Sequence, residues 1–117
     1  MSDTYNKTEA PFCQIKKSWR SLQKLDQELR KQADISLDEA IVLCCLSQRC
    51  KCQGNVAEET GLTTTQASRV LSRLEDKGHI ERSIDTADKR KMIFDLTPSG
   101  RQTLENITPL GVNHIAL

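Results

Sequence analysis

Two groups of residues have types and spacing suited to recognition chemistry. Thr64, Thr65, Gln66, Ser68, Arg69 and Arg73 set hydroxyl, amide and guanidinium groups at helical spacing, while Ala67, Val70, Leu71 and Leu74 make the opposite side apolar. An ordinary solvated helix face mixes Glu with Lys; this one is small, hydroxylated and cationic. Such groups suit the edges of base pairs, because an Arg can engage a guanine through two bonds and a Gln an adenine. Arg73, further along, is placed for a phosphate. The second group is the polar turn Asp85–Lys91, which ends in three consecutive cations, Lys89, Arg90 and Lys91. Arg90 suits a narrow A·T-rich minor groove, which attracts a guanidinium. The competing reading of these three is a solvated cationic turn.

The flanking residues show what must position them. Thr63 and Gln66 form a capping box that starts a helix, and Gly78 is placed to end it at its C-cap. Ile80, Arg82 and Ile84 then alternate with Glu81 and Ser83, and Met92, Phe94 and Leu96 alternate with Ile93 and Asp95. These are two strands of a hairpin with Asp85–Lys91 at its tip, and Arg82 can reach a phosphate from it. A capped helix followed by a cationic hairpin predicts a winged helix-turn-helix: mainly α with a small β-hairpin wing.

The stretch from Ser36 to Leu104 resembles the multiple-antibiotic-resistance regulator (MarR) family of bacterial transcription factors. The wing Asp85-Thr86-Ala87-Asp88-Lys89-Arg90, followed by Leu96-Thr97-Pro98-Ser99-Gly100, carries most of the resemblance. Leu74-Glu75-Asp76-Lys77-Gly78-His79-Ile80-Glu81-Arg82 adds the helix-to-wing junction. The resemblance implies a dimer that binds a pseudo-palindromic double-stranded DNA site. It also implies that Asp88 pairs with Arg90 to hold the loop, and it suggests a small phenolic or other amphipathic effector. Relatives carry two long C-terminal helices that interlock with the partner's first helix. Here residues 105–117 follow Leu104, so the dimer is expected to use mostly the first helix and a short tail, or to adopt a different geometry.

Taken in order, residues 1–10 are polar and expected to fray. Residues 11–34 form a first helix, with Pro11 in its first turn and a stripe of Phe12, Ile15, Trp19, Leu22, Leu29 and Ala33 that Asp26 interrupts. That helix either packs on its own domain or joins a dimer interface; the length of the stripe favours the dimer. Residues 36–97 are the winged helix-turn-helix. Ser36 and Glu39 make a second capping box for an apolar helix over 37–48, with Leu37, Ala40, Ile41, Leu43, Cys44 and Leu46 as core. Gln53 to Thr60 is the first helix of the helix-turn-helix, with Val56 and Ala57 inward and Gly61 closing it. Residues 98–117 are a short helix to about Ile107, capped by Thr97 and stopped by Pro109 and Gly111, and a tail.

At 117 residues one domain is expected, and with 3% aromatic residues its core must be mainly Leu, Ile, Val and Ala. The net charge of +1 means that a nucleic-acid reading rests on where the cations sit. No apolar run approaches membrane-spanning length and no signal peptide is visible, which predicts a cytoplasmic protein without a membrane partner. Without secretion a disulfide framework is not expected, so the five cysteines (Cys13, Cys44, Cys45, Cys50 and Cys52) leave three readings open. Cys44 and Cys45 can be small core residues with Cys50 and Cys52 incidental. Cys50 and Cys52 can form a redox sensor, the Cys52 thiolate being favoured by a helix N-terminus and by Arg49 and Lys51. A metal site is the third, although C-C-x4-C-x-C is not a zinc spacing and His79 and His114 are isolated. No phosphate-binding glycine loop, H-E-x-x-H or nucleophile elbow appears, so neither an enzyme nor a cofactor is expected. The alternative function is a winged-helix module that binds protein, whose corresponding helix face would be apolar.

Overall fold

The computed structural model describes residues 10–48 and 51–114. The order is α1 (Ala10–Ala33), α2 (Leu37–Gln48), α3 (Gln53–Thr60), α4 (Thr64–Asp76), β1 (Ile80–Ile84), β2 (Met92–Leu96) and α5 (Pro98–Val112). The expected fraying of residues 1–10 lies, Ala10 apart, outside the described residues, as do Arg49 and Cys50.

The helices begin where the side chains dictate. Asp34 takes a left-handed backbone (φ 56°) that ends α1, and Ser36 then caps α2. Its N–H donates to Glu39 Oε1 at 2.8 Å while its Oγ accepts from the Glu39 N–H at 3.3 Å. Asp26, which breaks the apolar stripe of α1, accepts the Leu37 N–H at 2.8 Å and so satisfies a second donor at the start of α2. Thr63 and Gln66 exchange the reciprocal bonds of a capping box at the start of α4. Gly61 (φ 79°) closes α3, with its N–H on the Ala57 carbonyl.

Lys77 is the C-cap of α4, with Gly78 (φ 78°) one residue beyond it. The Gly78 N–H reaches the Glu75 carbonyl and the His79 N–H reaches that of Leu74, both at 3.0 Å. These two bonds form a Schellman motif, which turns the chain straight into β1. β1 and β2 pair antiparallel from Ile80↔Leu96 to Ile84↔Met92. From the middle of β2 the Phe94 N–H donates to the Lys51 carbonyl at 2.7 Å, which ties β2 to the segment before α3.

The core packs α2, α3, α4 and the base of the hairpin around Val42, Leu43, Leu46, Val56, Leu71 and Leu74. Two expectations change here. Ile41 and Cys44 are exposed rather than core, because α2 buries its Val42–Leu43–Leu46 side and Ile41 and Cys44 turn toward a groove between α1 and α5. α5 does not stop at Ile107 but runs to Val112 through Pro109. Proline there removes only the bond that the Glu105 carbonyl would accept, and Glu105 is exposed, so water can serve it. Leu110 packs on the core beyond the break, and Thr108 Oγ1 closes on the Leu104 carbonyl at 2.7 Å.

Candidate nucleic-acid interface

α4 presents two contrasting faces. Ala67, Val70, Leu71 and Leu74 are buried, whereas Thr64, Thr65, Gln66, Ser68 and Arg69 are exposed together along its first two turns. Gln66 already serves as a cap, with Oε1 accepting the Thr63 N–H at 2.9 Å. Gln53 Nε2 donates to the Thr64 carbonyl at 3.2 Å, which fixes the start of α4 against α3. Among the described residues Arg69, Lys89 and Lys91 have no ion-pair partner.

The wing tip is held by its own acids. The Ala87 N–H donates to Asp85 Oδ1 at 2.9 Å and the Arg90 N–H to Asp88 Oδ1 at 3.1 Å. The Asp85 N–H reaches the Lys91 carbonyl and the Lys91 N–H that of Asp88, both at 2.9 Å. The Arg90 side chain is 94% exposed, with Nε 3.6 Å from Asp88 Oδ1. A rigid loop thus carries a guanidinium that projects into solvent. The predicted alternation holds at the base of the wing, where Ile80, Phe94 and Leu96 are buried, and is lost toward the tip, where Ile84 and Met92 are exposed.

Two cations from the sequence-derived set are engaged elsewhere. Arg73 donates through Nε to Glu39 Oε2 at 3.1 Å and through Nη2 to Asp38 Oδ2 at 3.2 Å. Arg82 grips Glu75 with both Nε and Nη2, the latter at 2.7 Å, and its guanidinium lies 5.4 Å from the centre of the Phe94 ring. The Glu75 hydrogen bond holds the Arg82 pKa above its ordinary value. Arg82 therefore clamps the wing to the end of α4. Neither role is visible in the sequence, where Glu39 reads as a helix cap and Glu75 only as part of the helix-to-wing junction.

Glu39 is the one deeply buried carboxylate among the described residues, its side chain 2% exposed. Burial alone would raise its pKa, but the Ser36 N–H, Lys77 and Arg73 together hold it below the ordinary carboxylate value. His79 is half-buried, with Nδ1 3.1 Å from Ser99 Oγ. Desolvation, helped by Lys77, lowers its pKa. His114 is not isolated: Nδ1 lies 3.0 Å from Ser21 Oγ and Nε2 3.4 Å from Glu28 Oε1, which joins the end of α5 to α1.

The cysteines separate. Cys44 is an exposed thiol, and Cys45, half-buried against the core, is disulfide-bonded, contrary to the expectation of no disulfide, so neither is an inert core thiol. Cys52 is the N-cap residue of α3, and its Sγ donates to Asn55 Oδ1 at 2.8 Å. Lys51 points away from it, Nζ lying 2.7 Å from Asp95 Oδ1. Cys50 lies outside the described residues. Among those described, no cluster of three or more His, Cys, Asp or Glu residues could hold a metal ion, and no helix is long and apolar enough to cross a membrane.

A helix capped at the mouth of a helix-turn-helix, followed by a braced antiparallel hairpin, defines a winged helix. Comparison with known proteins agrees. The MarR family model matches residues 35–92. Over 54 residues the chain is 41% identical to the uncharacterized HTH-type transcriptional regulator YwaE of Bacillus subtilis, a match covering 46% of this chain and 32% of that protein. The aligned part thus spans about a third of that relative's length. The S. aureus MepR–DNA complex superposes with a TM-score of 0.78 at 29% identity, covering 94% of this chain and 80% of that one. A mutant of S. aureus MepR bound to an oligodeoxyribonucleotide matches at 30% identity and a TM-score of 0.70, covering 92% and 78%. The chain belongs to the MarR family.

Proposed function

We propose that this chain is a sequence-specific double-stranded DNA-binding transcriptional regulator that acts in the cytoplasm as a homodimer. α4 enters the major groove, where Thr64, Thr65, Gln66, Ser68 and Arg69 meet base edges, and the wing tip follows the backbone into the adjoining minor groove. The observation that carries this reading is the pairing of a polar, exposed α4 face with the braced, outward Arg90. The MepR structures with DNA support it, since they share this fold over most of both chains. Lys89 and Lys91 contact phosphates. Asp88 shapes the loop, and Arg73 and Arg82 hold the reading elements in place. Two-fold symmetry sets the half-sites about one helical turn, roughly 10 base pairs, apart.

An amphipathic effector would lie in the groove between α1, α2 and α5, whose apolar lining (Leu22, Ile41, Leu104, Ile107) is edged by Cys44, Thr108 and His114. Oxidation of Cys52, at the start of α3, would act on the helix that supports α4.

Fluorescence anisotropy with duplexes from the chain's own upstream region tests the DNA reading. Log K should fall by roughly 0.9 per phosphate neutralised for each unit of log salt. Arg90→Ala should weaken binding by about 1–3 kcal/mol. Equally weak binding to every duplex, unmoved by the substitution, would favour a protein-binding winged helix instead.

A further inference from the structure

We infer that Glu39, on α2 and outside the DNA-facing surface, is the positioning residue that sets the rotation of α4. This rests on the DNA-binding reading above. Its buried carboxylate receives two straps from α4: Lys77 Nζ on Oε1 at 2.9 Å and Arg73 Nε on Oε2 at 3.1 Å. Oε1 also takes the Ser36 N–H, so the acid is part of the cap of α2 and cannot turn away. Each strap has a second anchor at the same corner. Lys77 reaches the Asp34 carbonyl at 2.6 Å, and Arg73 reaches Asp38 at 3.2 Å. The corner is in turn tied to α1, through Asp26 on the Leu37 N–H.

The placement of the straps gives them their effect. Arg73 and Lys77 are four residues apart, on one ridge of the helix. Thr65 and Arg69 continue that ridge toward the N-terminus of α4. Holding two points of the ridge on one fixed carboxylate defines both the tilt of α4 and its rotation about its axis. Thr65 and Arg69 are then directed outward in one register. The apolar contacts of Ala67, Val70, Leu71 and Leu74 are non-directional and cannot do this alone. The acid is buried while Arg73 and Lys77 stay partly exposed, so the pairs add little to stability, but the buried carboxylate fixes where the two cations must lie.

The test uses the full chain as wild type, Glu39→Gln and Lys77→Met. Anisotropy is measured on the upstream duplex and on a scrambled duplex of equal length, and amide NMR spectra are recorded without DNA. Glu39→Gln keeps the shape and the Ser36 cap but removes the charge. It should lower the ratio of specific to scrambled affinity by roughly tenfold or more, within the range by which specific sites exceed non-specific ones. Scrambled-duplex affinity and salt slope should stay, because no phosphate contact is lost. The amides of Thr64–Asp76 should shift or broaden. Lys77→Met, which leaves Glu39 capped and held by Arg73, should do the same to a smaller extent, and it carries the test if Glu39→Gln fails to fold. An unchanged ratio with undisturbed α4 amides would overturn the inference. So would equal losses on both duplexes that track the unfolded fraction, since that marks a merely structural role. A wild type that does not tell the duplexes apart would instead sink the DNA reading, and the α4 amides alone would then decide the role of Glu39.

Discussion

Single atoms decide some of the largest effects in this chain, and Gly100 is the clearest case. A Cβ built there would lie 2.0 Å from the His79 carbonyl oxygen and 2.9 Å from its carbon. Both are backbone atoms, and the oxygen also accepts the Thr97 N–H at 3.0 Å, so neither can give way easily. The first turn of α5 thus packs directly on the α4–β1 junction, with Thr97 Oγ1 donating to the Gly78 carbonyl at 2.6 Å. Gly100→Ala gains helix propensity but overpacks this contact, and a net loss of about 1–3 kcal/mol in urea denaturation is expected. The sequence shows this glycine only as part of a motif. Its reason is a close approach between segments some twenty positions apart, which no local pattern records. Asp26 is similar. It reads as a fault in an apolar stripe, yet it caps another helix eleven positions later. Arg73 and Arg82 were legible as cations but not as clamps, because their acids come from α2 and from the last turn of α4.

At the scale of elements, local signals were enough where the chain supplies its own end groups. Both capping boxes, the glycine closing α3 and the Thr97 cap of α5 stand where the residue types put them, because each bond spans only three or four residues. The far end of α5 departs from its local signals. Local chemistry says that Pro109 stops a helix, whereas packing of Leu110 and the bonds of His114 to α1 carry it on to Val112. Tertiary contacts here outweigh a penalty that is about 3 kcal/mol for an unsupported helix interior. The lost backbone bond should still be recoverable. Pro109→Ala restores the missing N–H, and the unfolded chain regains some freedom in return. A net stabilisation of about 1–2 kcal/mol is expected, seen as a higher thermal midpoint with unchanged helix content at low temperature.

Helix α1, with its 24 residues, spans about 36 Å, more than either of the two short dimensions of the molecule (28 and 23 Å). Its second half packs on the body through Leu25 and Leu29. Its first half does not: Phe12, Trp19 and Ile15 are 74%, 62% and 57% exposed. These side chains share a stripe with Leu22, which opens onto the apolar groove beside α5. A lone chain gains nothing by aligning large apolar groups along a protruding helix, whereas a second copy can bury them. The proposed homodimer therefore has a definite cost of disruption. Trp19→Asp places a charge in the middle of the stripe without touching the core, so the folded chain should persist while sedimentation velocity reports a monomer. DNA affinity should then fall far more than Arg90→Ala lowers it, because two half-sites are no longer held by one rigid body and the gain from linking them is lost. A monomeric variant that kept full affinity would place recognition in a single winged helix. A variant that stayed dimeric would mean that the two copies meet somewhere other than the exposed half of α1.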